Sequence, residues 1–199
     1  MNISKIDVCN LALANLGQPS IQTWDDPNER ARKCKLFYPV ALAETLRAHP
    51  WKFAETVEPL AQVDVTLAGW RYCYKYPVTA ANVQTVRVGR ECVPFQVTSL
   101  PQVGRVIVCD APKAHCVYTR REEDPSQWDD GFVRVMAWTL ASDLALPLTQ
   151  DTALMQNAAR QREMELDRAK YTNREEGETV VRYHCSYLPG GRKNAKSNL

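Results

Sequence analysis

The hydrophobic pattern of this chain changes period twice, which limits the fold more than any other feature of the sequence. Residues 4–48 and 132–173 repeat apolar side chains every three or four positions, as helices do. Between them, residues 53–120 form short runs rich in Val, Tyr and Phe, separated by Pro, Gly and Asn. We therefore predict an α+β fold, with a four-helix bundle-like body interrupted by a small antiparallel β unit and followed by an extended C-terminal arm. The predicted domains are 1–52 with 121–173 for the helical ring-forming body, 53–120 for the β-rich insertion, and 174–199 for the arm.

Capping signals predict where the first two helices begin. Ser4 is an N-cap candidate with Asp7 three residues later, and this first helix stops at Gly17. The second helix is predicted to begin with Asp26 as its cap and Pro27 in the first turn, and to run to about residue 48. Pro39 should kink it, because proline lacks the N–H that the helix requires.

Two more helices are predicted after the acidic break "REEDPSQWDDG". The segment "FVRVMAWTLASDLALPL" is apolar almost all round and should be buried on more than one side. Pro147 is predicted to end or kink this helix. The last helix is densely charged with both signs, which favours a solvated or interface-lining helix.

Composition excludes some classes of protein. The formal net charge is only +2 over 199 residues, which argues against a strongly basic nucleic-acid binder. No apolar run reaches the roughly 20 residues of a membrane span, and we interpret the apolar N-terminus as a folded helix rather than a signal peptide. The seven cysteines form no CxxC pair, so we predict reduced thiols that pack as small apolar groups.

No constellation of residues predicts catalysis. His49, His115 and His184 lack the sequence context of a nucleophilic triad and are interpreted as surface or capping residues. The paired carboxylates lie in loops or at helix starts, where capping explains an acid. No glycine-rich phosphate loop is present. We therefore predict no enzymatic activity, no cofactor and no metal site.

Aromatic residues are concentrated between His49 and Val88, and two interpretations of this stretch stay open. Strand alternation places Trp70, Tyr72, Tyr74 and Tyr76 on one face, with basic Arg71 and Lys75 on the other. Such a face could stack single-stranded nucleic acid. It is also typical of a half-buried strand that packs aromatic side chains on helices, and we favour this second interpretation.

Three sequence motifs resemble the tail tubular protein A family of bacteriophage head-to-tail adaptors, over about the first nine-tenths of the chain. The first is a Leu-Arg-x-x-Pro-Trp-x-Phe-Ala stretch at the end of the second helix. The second is a Gly-Trp-x-Tyr-x-Tyr-x-x-Pro strand, and the third is a Trp-x-x-x-Phe stretch that leads into an Ala- and Leu-rich helix. The matching residues are Leu46, Arg47, Pro50, Trp51, Phe53 and Ala54; Gly69, Trp70, Tyr72, Tyr74 and Pro77; and Trp128, Phe132, Ala141, Leu144, Ala145, Pro147 and Leu148. One departure is "PVTAAN" after the strand, where relatives often carry an acidic residue.

The resemblance implies a structural virion protein. Its members form a ring, typically of twelve subunits, between the portal protein and the tail nozzle, and the ring continues the channel through which double-stranded DNA passes without sequence-specific binding. The expected location is the head-to-tail interface of the virion, after synthesis in the host cytoplasm. The expected partners are further copies of the chain, the portal and a tail protein, with no membrane. The alternative function is a single-stranded nucleic-acid-binding module that uses the Trp70–Tyr76 face.

The C-terminal arm contains a β-prone stretch, "ETVVRYHCSYL". Valine and tyrosine alternate in it with polar residues, which favours pairing of its backbone with another strand. We predict that this arm binds the portal, with Val180, Val181, Tyr183 and Tyr187 as its apolar anchors.

Overall fold

Four α-helices and eight β-strands make up the part of the chain that the structure describes, residues 3–65 and 67–175 of a computed structural model. The helices are α1 (Lys5–Asn15), α2 (Glu29–Ala48), α3 (Asp130–Thr149) and α4 (Thr152–Glu175). The strands are β1 (Glu55–Pro59), β2 (Gln62–Val63), β3 (Tyr72–Lys75), β4 (Ala80–Val88), β5 (Glu91–Val93), β6 (Phe95–Leu100), β7 (Gly104–Cys109) and β8 (His115–Arg120). The predicted α+β class is confirmed. The predicted arm lies outside the described residues, except for the last residues of α4.

The described chain divides into two compact units. The first, the helical unit, comprises residues 3–56, 79–84 and 118–175 and contains all four helices. The second, the β unit, comprises residues 57–78 and 85–117, apart from residue 66.

The strands form two small antiparallel sheets rather than one. Strand order is β1-β8-β4-β5 in one sheet and β2-β3-β7-β6 in the other. The hairpin between β4 and β5 turns at Gly89 and Arg90, with Val88 opposite Glu91. Gly89 has a φ of 60°, a left-handed conformation that glycine adopts without strain.

Helix α3 lies at the centre of the helical unit, where it contacts α1, α2 and α4. Its buried residues point in several directions, because Val135, Met136 and Ala137 are consecutive on the helix and each is at most 3% exposed. The prediction that this helix is buried on more than one side is therefore confirmed. Pro147 does not end the helix, which continues to Thr149 and stops where Gln150 adopts a left-handed conformation.

The start of α1 matches the prediction. The Ser4 hydroxyl accepts a hydrogen bond from the Asp7 backbone N–H at 3.2 Å, and the Asp7 carboxylate accepts one from the Ser4 N–H at 2.9 Å. These reciprocal bonds are a capping box. The Ser4 hydroxyl also contacts the Asp7 carboxylate at 2.6 Å, and this bond, together with the one from the Ser4 N–H, lowers the pKa of Asp7. The helix ends before Gly17, as predicted.

The start of α2 differs from the prediction. Asn28, and not Asp26, caps the helix, since its side chain accepts the Ala31 N–H at 2.8 Å. The Asp26 carboxylate is already engaged by the Gln22 N–H and the Thr23 hydroxyl, at 2.8 and 2.6 Å. These bonds place Asp26 in the turn before the helix. Because the helix begins at Glu29, Pro27 also precedes it and is not in its first turn. The helix then runs through Pro39 without interruption to Ala48.

None of the helices within residues 3–65 and 67–175 combines the length and apolar character needed to cross a membrane.

Candidate functional site

Four aromatic rings from two distant parts of the sequence converge in the helical unit. Phe132, in the first turn of α3, lies at their centre. The centroid of its ring is 4.9 Å from that of Trp51, 5.0 Å from that of Phe53 and 4.8 Å from that of Trp128. The interplanar angles are 67–90°, the edge-to-face arrangement that aromatic pairs favour. We call these four residues the aromatic cluster. Its members come from two of the three sequence motifs, which therefore meet in space.

Trp51 is placed in the aromatic cluster by the end of α2. Its indole N–H donates to the Thr45 carbonyl at 2.8 Å, and the whole side chain is inaccessible to solvent. His49 packs edge-on against it, with ring centroids 5.2 Å apart. The motif that follows α2 thus folds back on the last turns of the helix that precedes it.

Asn173 of α4 holds the segment 49–52 by three hydrogen bonds. Its side-chain amide contacts the His49 ring nitrogen at 2.6 Å and donates to the Pro50 carbonyl at 3.3 Å, while its oxygen accepts the Lys52 N–H at 3.3 Å. The side chain is only 7% exposed. Sequence reasoning missed this residue, because an asparagine near the end of a charged helix carries no local sign of a contact more than 120 residues away.

Trp128 is held by the loop before α3. Its indole N–H donates to the Glu122 carbonyl at 3.1 Å. Asp129 caps α3 by accepting the Phe132 N–H at 2.6 Å, and Asp124 accepts the Ser126 N–H at 3.0 Å. Asp124 and Asp129 thus act as caps, as the sequence predicts, while Glu122 pairs with Arg120.

The aromatic strand of the β unit differs from the prediction in one respect. Trp70 is not on the face of Tyr72 and Tyr74, because it precedes β3 and pairs with Leu67 across a turn in which Gly69 has a φ of 88°. Trp70 instead packs against the buried cluster that contains Cys73. The prediction of one face carrying all four aromatic residues is therefore wrong.

The three tyrosines of this region have separate surroundings. Tyr72 and Tyr74 stack with ring centroids 6.4 Å apart, and Tyr74 is 1% exposed with its hydroxyl donating to the Ala111 carbonyl. The guanidinium of Arg105 lies 3.9 Å above the Tyr76 ring. Tyr74 is thus a core residue, while Tyr76 is stacked by a residue of its own unit.

The cysteines pack as the sequence predicts. Cys9, Cys34, Cys73, Cys109 and Cys116 are buried, Cys92 is half-buried, and all six are free thiols. Burial raises the pKa of Cys116 to about 12, and it also raises the pKa of Cys73 and Cys109. These three thiols are therefore protonated at neutral pH and lack the thiolate character of a nucleophile. Cys185 lies outside the described residues.

The two histidines of the described chain have different surroundings. His49 contacts Asn173 and Trp51, and His115 is exposed at the start of β8. No group of three His, Cys, Asp or Glu residues that could hold a metal ion occurs among residues 3–65 and 67–175. His184 lies outside this part of the chain.

An apolar groove of about 570 Å³ runs beside α2. Trp24, Pro39, Val40 and Leu42 line it, with Lys5, Lys35, Arg121 and Glu123 among its charged residues. Tyr38, 4% exposed, also lines the groove, and its hydroxyl has no hydrogen-bond partner among the described residues. Burial raises the pKa of this hydroxyl, which therefore stays neutral.

A cluster of charged residues connects α2, α3 and α4. Arg162 donates to the carboxylates of Glu44 and Glu163, each at 2.6 Å. Asp143 lies beside them, and burial together with the charge of Glu44 raises its pKa, although Arg162 opposes this shift. Burial and the neighbouring Glu44 carboxylate thus both disfavour the anionic form of Asp143.

Asp143→Asn is expected to stabilise the protein at pH 7, by less than about 1 kcal/mol. A carboxyl whose pKa is raised by folding contributes stability below its unfolded pKa of about 3.9, and this contribution is lost as pH rises through the folded pKa. The asparagine variant has no such loss. When urea unfolding is compared at pH 4.5 and pH 7, the free energy of unfolding of the variant should fall less, or rise more, with pH than that of the natural sequence. An unaltered pH dependence would contradict the assignment, and Asp64→Asn, at an exposed position, is the control.

No protein-family model matches the chain, and no curated protein sequence matches it either. The resemblance to the adaptor family therefore rests on the motif residues of the sequence alone. Of those residues, Trp51, Phe53, Trp128 and Phe132 meet in the aromatic cluster, while Tyr72 and Tyr74 lie in the β unit.

Proposed function

We propose that the protein is a structural head-to-tail adaptor of a tailed bacteriophage, which forms a ring between the portal and the tail nozzle. The observation that carries this proposal is the aromatic cluster, in which the Pro50–Trp51–Phe53 motif and the Trp128–Phe132 motif pack together. Both motifs were selected by resemblance to adaptors and not by any structural criterion. Their convergence supports an architectural role for them, as expected if the resemblance reflects a shared fold.

Exposed apolar side chains on the helices also support the proposal. Leu36 and Val40, one turn apart on α2, are 62% and 58% exposed, and Met164 and Tyr171, two turns apart on α4, are 59% and 67% exposed. Apolar groups that recur on one helix face indicate contact with another protein surface. A closed ring needs two different surfaces on each subunit that bind each other by rotation.

The proposal assigns a structural role and no catalytic activity or cofactor. The proposed partners are further copies of the chain in a ring, typically of twelve subunits, together with the portal and a tail protein. Double-stranded DNA would pass through the channel without sequence-specific contacts, which is compatible with a formal net charge of +2. The proposed location is the virion, after synthesis in the host cytoplasm.

The mass of the purified protein tests this function directly. Light scattering and negative-stain imaging should show a ring, either for the protein alone or after it is mixed with its cognate portal. An unrelated portal serves as the control for non-specific association. A protein that stays monomeric and does not bind its cognate portal would overturn the proposal.

The alternative function, a single-stranded nucleic-acid-binding module, has less support. It needs an accessible aromatic face from Trp70 to Tyr76, but Tyr74 is buried and Trp70 packs with the Cys73 cluster. Salt-sensitive quenching of tryptophan fluorescence by a single-stranded oligonucleotide would support this nucleic-acid-binding function.

A further inference from the structure

One sheet edge in the β unit is left open among the described residues. Strand β6 pairs with β7 over six residues, from Phe95 opposite Cys109 to Leu100 opposite Gly104. In the order β2-β3-β7-β6, it has no neighbour on its other side within the part of the chain that the structure describes. Its outward backbone N–H and C=O groups can therefore pair with a further strand.

The other three edge strands carry features that discourage pairing. Strand β1, "ETVEP", contains two glutamates and a proline, β5 has three residues including Glu91, and β2 has only two residues. Charges, prolines and short length are the usual protection of exposed edges. Strand β6, "FQVTSL", has six residues with neither a charge nor a proline. It is thus the edge best suited to accept another strand.

The side chains of β6 define what such a strand should look like. Val97 lies opposite the buried Ile107, which lies opposite the buried Tyr74. Phe95, in the same way, lies opposite Cys109, which lies opposite Tyr72, so these residues form a second row across the sheet. An added strand would continue these rows, so alternate residues of it should be apolar or aromatic.

The chain itself contains a segment with this pattern. In residues 179–187, the alternate positions Val181, Tyr183, Cys185 and Tyr187 form an apolar and aromatic set, with Thr179 before them in the same register. The intervening positions are Val180, Arg182, His184 and Ser186, of which the last three are polar and suit the opposite face. Of the residues that the structure does not describe, only 176–199 are numerous enough to supply a strand.

We infer that residues 179–187 of this chain bind the open edge of β6 as an additional strand, with Val181 and Tyr183 on the face of Val97 and Phe95. This inference goes beyond the proposed adaptor function and stands without it, because a chain that forms no ring can still make this pairing. The same segment is predicted to bind the portal. While it is paired with β6, the segment would be held on its own subunit until the protein binds the portal. The pairing would also protect the uncharged edge of β6 from aggregation.

Hydrogen exchange of the full chain tests the inference. The probe is the peptide that spans β6, and the variant is the double substitution Val181→Asp with Tyr183→Asp. Exchange of β6 amides is expected to be at least about tenfold faster in this variant than in the natural sequence, since its outward amides lose their partners. Val180→Asp with His184→Asp adds the same charge on the opposite face and should leave β6 exchange within about twofold of the natural sequence.

Two outcomes would overturn the inference. One is that β6 amides exchange at the same rate in the natural sequence and in the Val181→Asp, Tyr183→Asp variant. Residues 179–187 would then not be the group that protects the edge of β6. The other is equal acceleration in both double variants, since added charge alone would then explain the effect. Peptides from α3 report whether the fold is intact, and their exchange should not differ among the three proteins.

Discussion

Phe132→Ala is expected to lower the free energy of unfolding by about 3–5 kcal/mol. Phe132 is inaccessible to solvent and contacts the rings of Trp51, Phe53 and Trp128, so its removal leaves a cavity bounded by three aromatic side chains. These rings are themselves anchored, Trp51 through Thr45 and Trp128 through Glu122, which limits how far they can collapse into the space. Urea unfolding followed by far-UV circular dichroism measures the loss.

Tyr171→Ala is the matched control for this substitution. It also removes an aromatic ring from the helical unit, but Tyr171 is 67% exposed, and truncation should change the free energy of unfolding by no more than about 0.5 kcal/mol. Similar losses in the two variants would contradict the central position of Phe132 in the core. So would a loss below about 1 kcal/mol in Phe132→Ala.

The helices could be predicted because their signals are local. The capping box of α1, the extent of α2 to residue 48 and the burial of α3 all follow from residues that are neighbours in the sequence. The predicted cap of α2 was wrong because Asp26 and Asn28 are both good caps. Only the competing bonds of Asp26 with Gln22 and Thr23 decide between them.

The aromatic strand shows the limit of assigning side chains to sheet faces by alternation along the sequence. Alternation assigns faces only while the backbone stays extended, and the turn at Gly69 breaks that condition before Trp70. Residues 72–75 do follow the strand, with Tyr72 and Tyr74 stacked on one side and Cys73 on the other. The pairing of strands into two sheets depends on contacts between distant segments, which no local pattern encodes.

The candidate site was predicted only in part, for the same reason. Trp51, Phe53, Trp128 and Phe132 were singled out by their motifs, but their convergence depends on α3 packing against the end of α2. Asn173 was missed altogether, although it makes more polar contacts with the first motif than any residue near that motif in sequence.

Asn173→Ala is expected to lower the free energy of unfolding by about 1–3 kcal/mol. The substitution removes a side chain that is only 7% exposed, together with its hydrogen bonds to the Lys52 N–H and the Pro50 carbonyl. Pro50 and Lys52 are themselves exposed, so water can take over part of this bonding, and the expected loss is that of about one unsatisfied polar group. Thr172→Ala removes a polar side chain from the adjacent, exposed position and should cost no more than about 0.5 kcal/mol.

A double-mutant cycle distinguishes loss of the Asn173 hydrogen bonds to residues 49–52 from a general weakening of α4. The Asn173 amide lies 2.6 Å from the His49 ring nitrogen, so the losses in Asn173→Ala and His49→Ala should not add. The double variant is expected to be less destabilised than the sum of the single variants, by about 0.5–3 kcal/mol. Additive losses would mean that Asn173 stabilises α4 independently of the segment that carries Trp51. Non-additive losses would tie the last turn of α4 to the aromatic cluster, because His49 packs edge-on against Trp51 at 5.2 Å.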